Sequence, residues 1–101
     1  MTRKAPANGP IVYDPRGSVE ADARPLARRP EGLAGLRLAV LDNTKWNAGK
    51  LLRKTTELLG AEIAFGAVNF YAKESFSRNA APELLADIAA DNDIALTAVG
   101  D

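Results

Sequence analysis

An α/β fold built on one doubly wound parallel sheet, incomplete at three strands, is predicted by three features of the 101-residue chain. Three short apolar runs, 36–41, 63–68 and 94–99, have the length and composition of buried strands. Two amphipathic stretches separate them. Turn and cap formers (Asp42-Asn43, Gly60, Pro82, Asp91-Asn92-Asp93) stand at the junctions.

The first run, Leu36-Arg37-Leu38-Ala39-Val40-Leu41, ends in Asp42-Asn43 and reads as strand 1. Residues 47–59 follow, with Leu51, Leu52, Leu58 and Leu59 around Thr55 forming one stripe along a helix, and Gly60 suits its left-handed end. Ile63 to Val68 is strand 2, and a polar, partly aromatic loop is expected from Asn69 to Ala81. Pro82 fits the first turn of a second helix whose apolar face is Leu84, Leu85, Ile88 and Ala89. Asp91-Asn92-Asp93 ends it, an acidic cluster at the unfavourable pole of the helix dipole. Ile94 to Val99 is strand 3, followed by Gly100 and Asp101.

Strand-helix-strand-helix-strand implies parallel pairing through right-handed crossovers, an incomplete Rossmann-like sheet. Order 2-1-3 puts the helices on opposite faces, whereas 3-2-1 leaves one face bare, so burial favours 2-1-3. Three strands and two helices make a thin core. Two readings stay open: a small domain completed by oligomerisation, or the front part of a larger doubly wound domain.

Residues 1–33 are expected to differ from 34–101. Five of the six prolines lie before residue 31, and that segment carries +3 against −3 for the remainder. Proline-rich sequence forbids long regular elements. An irregular arm is expected, either anchored through Ile11-Val12-Tyr13 or an unpacked tail. The balance of 13 basic and 13 acidic residues argues against nucleic acid as a partner. With no Cys and no His there is no zinc site of the usual kind, no thiol nucleophile and no imidazole base within the chain. No apolar run reaches bilayer length, and MTRKAPANGP lacks the apolar core of a secretory signal, so a cytoplasmic protein without membrane contact is expected.

Open parallel sheets bind ligands beyond the carboxyl ends of their strands, where strand order reverses. In order 2-1-3 that crevice is flanked by Asp42 to Asn47 and by Gly100-Asp101. Asn43 and Asn47 can hydrogen-bond a polar ligand. Lys45 can hold a carboxylate, a phosphate or a low-pKa nucleophile, with the amino end of the following helix adding positive charge. The plainer alternative is a turn in which Asn47 caps the helix and Asp42 makes turn bonds, but such a turn does not require Lys45 or Trp46. After strand 2, Lys73, Ser75, Ser77 and Arg78 can cradle an anion, or form a solvated loop. Neither serine has a visible base, so neither is assigned as a nucleophile. No dinucleotide-binding glycine fingerprint or P-loop is present. Asp42 with Asp101 could bind a hard cation or mimic a phospho-acceptor pocket.

Leu41-Asp42-Asn43-Thr44-Lys45-Trp46-Asn47, leading into an amphipathic helix, resembles the D-N-x-K-x-N segment after the first strand of the UGSC family of (seleno)proteins. Lys73-Glu74-Ser75-Phe76-Ser77-Arg78 and Ala81-Pro82-Glu83-Leu84-Leu85 resemble its second region, and Thr97 to Asp101 the stretch just before the U/C-G-S-C motif that names it. The resemblance spans about residues 11–101; the naming motif is not among them. It implies that the chain is the amino-terminal fragment of a thiol/selenol redox protein, with a selenocysteine or cysteine expected downstream of Asp101, a neighbouring cysteine as resolving thiol, and no catalytic residue within the chain. Because UGA encodes selenocysteine, the expectation is a truncated reading, inactive by itself. A small-molecule substrate or a thiol reductant would be the partner, and no cofactor is expected in the chain itself. The resemblance extends to the selenoprotein B component of glycine, sarcosine and betaine reductases, which implies reductive chemistry. The competing reading is a stand-alone anion-binding subunit that completes its sheet with a partner chain. A receiver-like or flavodoxin-like module is disfavoured, because two further strands are lacking.

Overall fold

The computed structural model describes residues 10–15, 17 and 21–100. Asp101, the second half of the Asp42–Asp101 pair, lies outside the described residues, as do residues 1–9, 16 and 18–20 of the arm. The elements are β1 (Arg37–Asp42), α1 (Ala48–Glu62), β2 (Ala67–Ala72), α2 (Pro82–Asp91) and β3 (Ile94–Ala98). The three strands form one parallel sheet in the order β2-β1-β3, as expected for an incomplete doubly wound sheet.

Register decides which face each residue occupies. Leu38 pairs with Val68 and Ile94, and Val40 with Phe70 and Leu96, so these six share one face. Leu38 and Val40 form the core cluster with Leu52 of α1, and Ile94, Leu96, Ala98 and Phe65 pack against it. Asn69 and Tyr71 lie on the other face, where both hydrogen-bond Asn92 at the carboxyl end of α2, each at 3.0 Å. The helices therefore cover opposite faces, the arrangement that right-handed crossovers require of this strand order.

Several boundaries differ from expectation for local reasons. Gly60 does not end α1, because Ala61 and Glu62 continue it. The helix stops at Ile63, whose N–H donates to the Leu59 carbonyl at 2.8 Å and whose backbone is already extended. The buried stripe of α1 is Ala48, Leu52 and Thr56, while Leu51 and Leu58 are exposed. β2 pairs four residues later than predicted, at Ala67–Ala72. The segment from Ile63 to Phe65 is extended and carries Phe65 to the core, but pairing starts only after Gly66 crosses Gly35. A Cβ on Gly66 would collide with the Gly35 carbonyl oxygen, so only glycine fits this crossing. Asn69 to Ala72, expected as loop, are strand because the polar tips of Asn69 and Tyr71 find a shared partner in Asn92.

The end of α2 is reconciled with its acidic sequence in the same way. Asn92 donates from Nδ2 to the Ile88 carbonyl at 3.0 Å, satisfying an orphan acceptor of the last turn. Asp93 turns away and accepts from Arg37 Nε at 3.2 Å, from Nη2 at 3.1 Å and from the Arg37 N–H at 2.8 Å. Its own N–H donates to the Arg37 carbonyl at 2.9 Å, so the amino ends of β1 and β3 are latched at four points. Before Leu33 the described residues form no helix or strand, and Ile11, Val12 and Tyr13 are exposed rather than anchored.

Candidate functional site

β1 is the central strand, and its carboxyl end is held on both sides. The Lys73 N–H donates to the Asp42 carbonyl at 2.9 Å, and the Asn43 N–H donates to the Ala98 carbonyl at 3.1 Å. Asn43 then adds its side chain: Nδ2 donates to the Val99 carbonyl, and Oδ1 accepts the Lys45 N–H at 3.1 Å. Asn43 thus grips two successive carbonyls of the chain leaving β3 and shapes its own loop. Both ends of its amide are engaged within the protein, which makes it a positioning residue for the segment after β3.

The loop from Asp42 to Asn47 is built of paired turns. Asp42 Oδ1 accepts the Thr44 N–H at 2.7 Å, and Asn43 does the same one residue on. Thr44 and Asn47 both have positive φ, 66° and 65°. Asparagine tolerates the left-handed region, whereas a β-branched threonine there is strained. Asn47 occupies the N-cap position of α1 without a side-chain cap bond; its carbonyl accepts the Leu51 N–H at 3.0 Å. The capping role foreseen for Asn47 is therefore corrected: the left-handed backbone turns its amide away from the helix donors. The Asp42 carboxylate approaches the first turn instead, with Oδ2 2.9 Å from where a Cβ on Gly49 would stand. That carboxylate offsets part of the positive field expected from the helix amino end. Lys45 is half-buried between these turns, and Trp46 beside it is 89% exposed.

Trp46 is the residue that composition alone underrates. It projects from a loop with two left-handed residues at the carboxyl edge of the sheet, and the sequence signal that marks it is a large aromatic in a turn that does not require one.

The seven candidate residues fall into two groups. Asn43 and Lys45 are joined at the exit of β3, and Asn47 closes the same loop at the start of α1. Lys73, Ser75, Ser77 and Arg78 lie in the loop between β2 and α2, where all but Ser77 line a cavity of about 320 Å³. There Lys73 Nζ donates to the Arg78 carbonyl at 2.7 Å, closing the loop on itself. Ser75 and Ser77 share a hydrogen bond of 2.8 Å, and Ser75 Oγ also accepts the Ser77 N–H at 3.2 Å. Glu74, Glu83 and Asp87 line the same cavity. Carboxylates outnumber cations there, which weakens it as an anion cradle. Among the described residues there is no cluster of three or more Asp, Glu, His or Cys suited to a metal ion, and no helix long and apolar enough to cross a membrane.

The architecture is that of a doubly wound sheet whose reversal point carries a D-N-x-K-x-N loop. The UGSC family profile matches residues 11–101. The chain belongs to the UGSC family. The UGSC match begins at Ile11, so it takes in the arm as well as the sheet and helices. No curated protein and no solved structure matches the chain.

Proposed function

We propose that this UGSC chain is the amino-terminal part of a thiol- or selenol-dependent redox protein, whose nucleophile is a selenocysteine or cysteine in the sequence that follows β3. The observation that carries the reading is the Asn43 grip on the Ala98 and Val99 carbonyls, which directs the chain out of β3 beside Lys45 at the reversal point of the sheet. A chalcogenolate there would sit in the usual ligand position of an open α/β sheet. Lys45 supplies a positive charge that favours the ionised nucleophile, while Asp42 limits the contribution of the α1 amino end. Asn43 and Asn47 shape the crevice for a small-molecule substrate or a thiol reductant. The anion-cradle role of Lys73, Ser75, Ser77 and Arg78 has less support, since Lys73 is bonded to the Arg78 carbonyl, the two serines to each other, and three carboxylates line the same cavity. The chain contains no Cys, so on this reading it does no redox chemistry by itself.

The gene tests this directly. The codon after Asp101 should be UGA, followed in frame by Gly-Ser-Cys and a selenocysteine-insertion hairpin, or a Cys codon in the same place. A UAA or UAG codon there removes the proposal and leaves the stand-alone anion-binding subunit.

A further inference from the structure

The basic arm and the acidic cavity complement each other. The segment Arg24-Pro25-Leu26-Ala27-Arg28-Arg29-Pro30 is exposed along its whole length, and Leu26 is 89% exposed. Leu26 is the one large apolar side chain of this segment, set among three arginines and two prolines. The prolines hold it extended, so little further order is lost on docking. The cavity between the end of β2 and the start of α2 has the opposite sign of charge: Ala72, Ala81 and Leu84 are apolar, and Glu74, Glu83 and Asp87 outnumber Lys73 and Arg78 in its lining. Its volume of about 320 Å³ lies at the small end of the range for pockets that hold ligands, about 300–1,000 Å³. The charge imbalance runs through the chain as well, with +3 over residues 1–30 and −3 over residues 31–101.

We propose that the arm of one copy docks in this cavity of a second copy, with Leu26 as the anchor and Arg24, Arg28 and Arg29 facing Glu74, Glu83 and Asp87. Reach argues for a second copy over the arm's own body. The Gly35 N–H is bonded to the Ala64 carbonyl at 2.7 Å at the amino edge of the sheet, and Leu33 to Leu36 form a turn there. From Leu33 back to Leu26 the chain spans at most about 25 Å when fully extended. The cavity lies at the opposite edge, beyond β2, whose six residues alone cover about 20 Å. Own-body docking would need a taut path with no slack for the lateral offset to α2, whereas a second copy sets no such limit. The proposal is independent of the redox reading, because it concerns association and not the nucleophile.

The chain has no cysteine, so single engineered thiols report contacts without background. Ala27→Cys and Asn79→Cys chains, mixed under mild oxidation, should give a covalent dimer, and adding Leu26→Asp to the first should slow its formation about ten- to hundredfold, the scale of losing one buried leucine. A chain carrying both cysteines that closes within itself as a monomer, with no dimer from the mixed single variants, overturns the second-copy occupant. Equal crosslinking with and without Leu26→Asp, or no crosslinking in either format, overturns the docking site altogether. Sedimentation of the unmodified chain supplies the independent check: dimers weakened by salt are expected, and a salt-insensitive monomer across the micromolar range counts against the proposal.

Discussion

Replacing Asn43 by alanine removes two side-chain hydrogen bonds at once, the Nδ2 donation to the Val99 carbonyl and the Oδ1 acceptance of the Lys45 N–H. The backbone bond from Asn43 to the Ala98 carbonyl survives. A hydrogen bond contributes about 0.5–1.5 kcal/mol net, so the pair is worth about 2 kcal/mol. In a domain of this size that lowers Tm by roughly 8–16 °C. Asn43→Asp separates the two bonds. It keeps an acceptor for Lys45 but turns a carboxylate oxygen on the Val99 carbonyl, so it should destabilise at least as much as alanine. Thermal and urea unfolding followed by far-UV circular dichroism is the suitable assay, since Trp46 is too exposed for its fluorescence to report the transition well. Amide exchange near Val99 should accelerate in both variants. An Asn43→Asp protein as stable as the parent, or an Asn43→Ala loss below about 0.5 kcal/mol, would show that the side chain does not hold the β3 exit.

Two further outcomes follow from charge. The Arg37 guanidinium, by hydrogen bond and charge, holds the Asp93 carboxyl below its ordinary range. A depressed carboxyl stabilises the fold above its unfolded value and loses that contribution as pH falls through the folded one. Stability should therefore drop on acidification below about pH 4. Arg37, raised further by the same contact, stays charged throughout and adds no slope. Asp93→Asn should flatten the urea midpoint between pH 2 and 4 relative to the parent, and an unchanged acid limb would assign it to other carboxylates. In the full-length protein on the proposed reading, Lys45→Ala should slow alkylation of the selenol or thiol near neutral pH; unchanged alkylation rates would remove Lys45 from that role.

Much of the architecture was legible because period and punctuation are local. Leu38 and Val40 had to be buried wherever β1 lay, and Pro82 could start a helix but not continue one. The errors are equally instructive. Leu51 and Leu58 look like core by spacing, yet α1 meets the sheet through Ala48, Leu52 and Thr56. Asn69 and Tyr71 look like loop by polarity, yet they are strand because Asn92, more than twenty residues away, accepts and donates to them. The two groups of candidate site residues looked equivalent in the sequence, yet only the first holds the exit of β3.

By itself the sequence determined three strands, two helices, their parallel connection and the D-N-x-K-x-N loop that marks the family, because apolar runs, prolines and motif spacing act over a few residues. The tertiary structure alone decided which amides serve the fold. It showed Asn43 engaged with the end of β3, the Asp42 carboxylate rather than Asn47 at the first turn of α1, and Lys73 closed on its own loop. Hydrogen-bond partners more than fifty residues apart, such as Asn43 and Val99, are chosen by strand order and register. Those are properties of the assembled sheet and not of any segment within it.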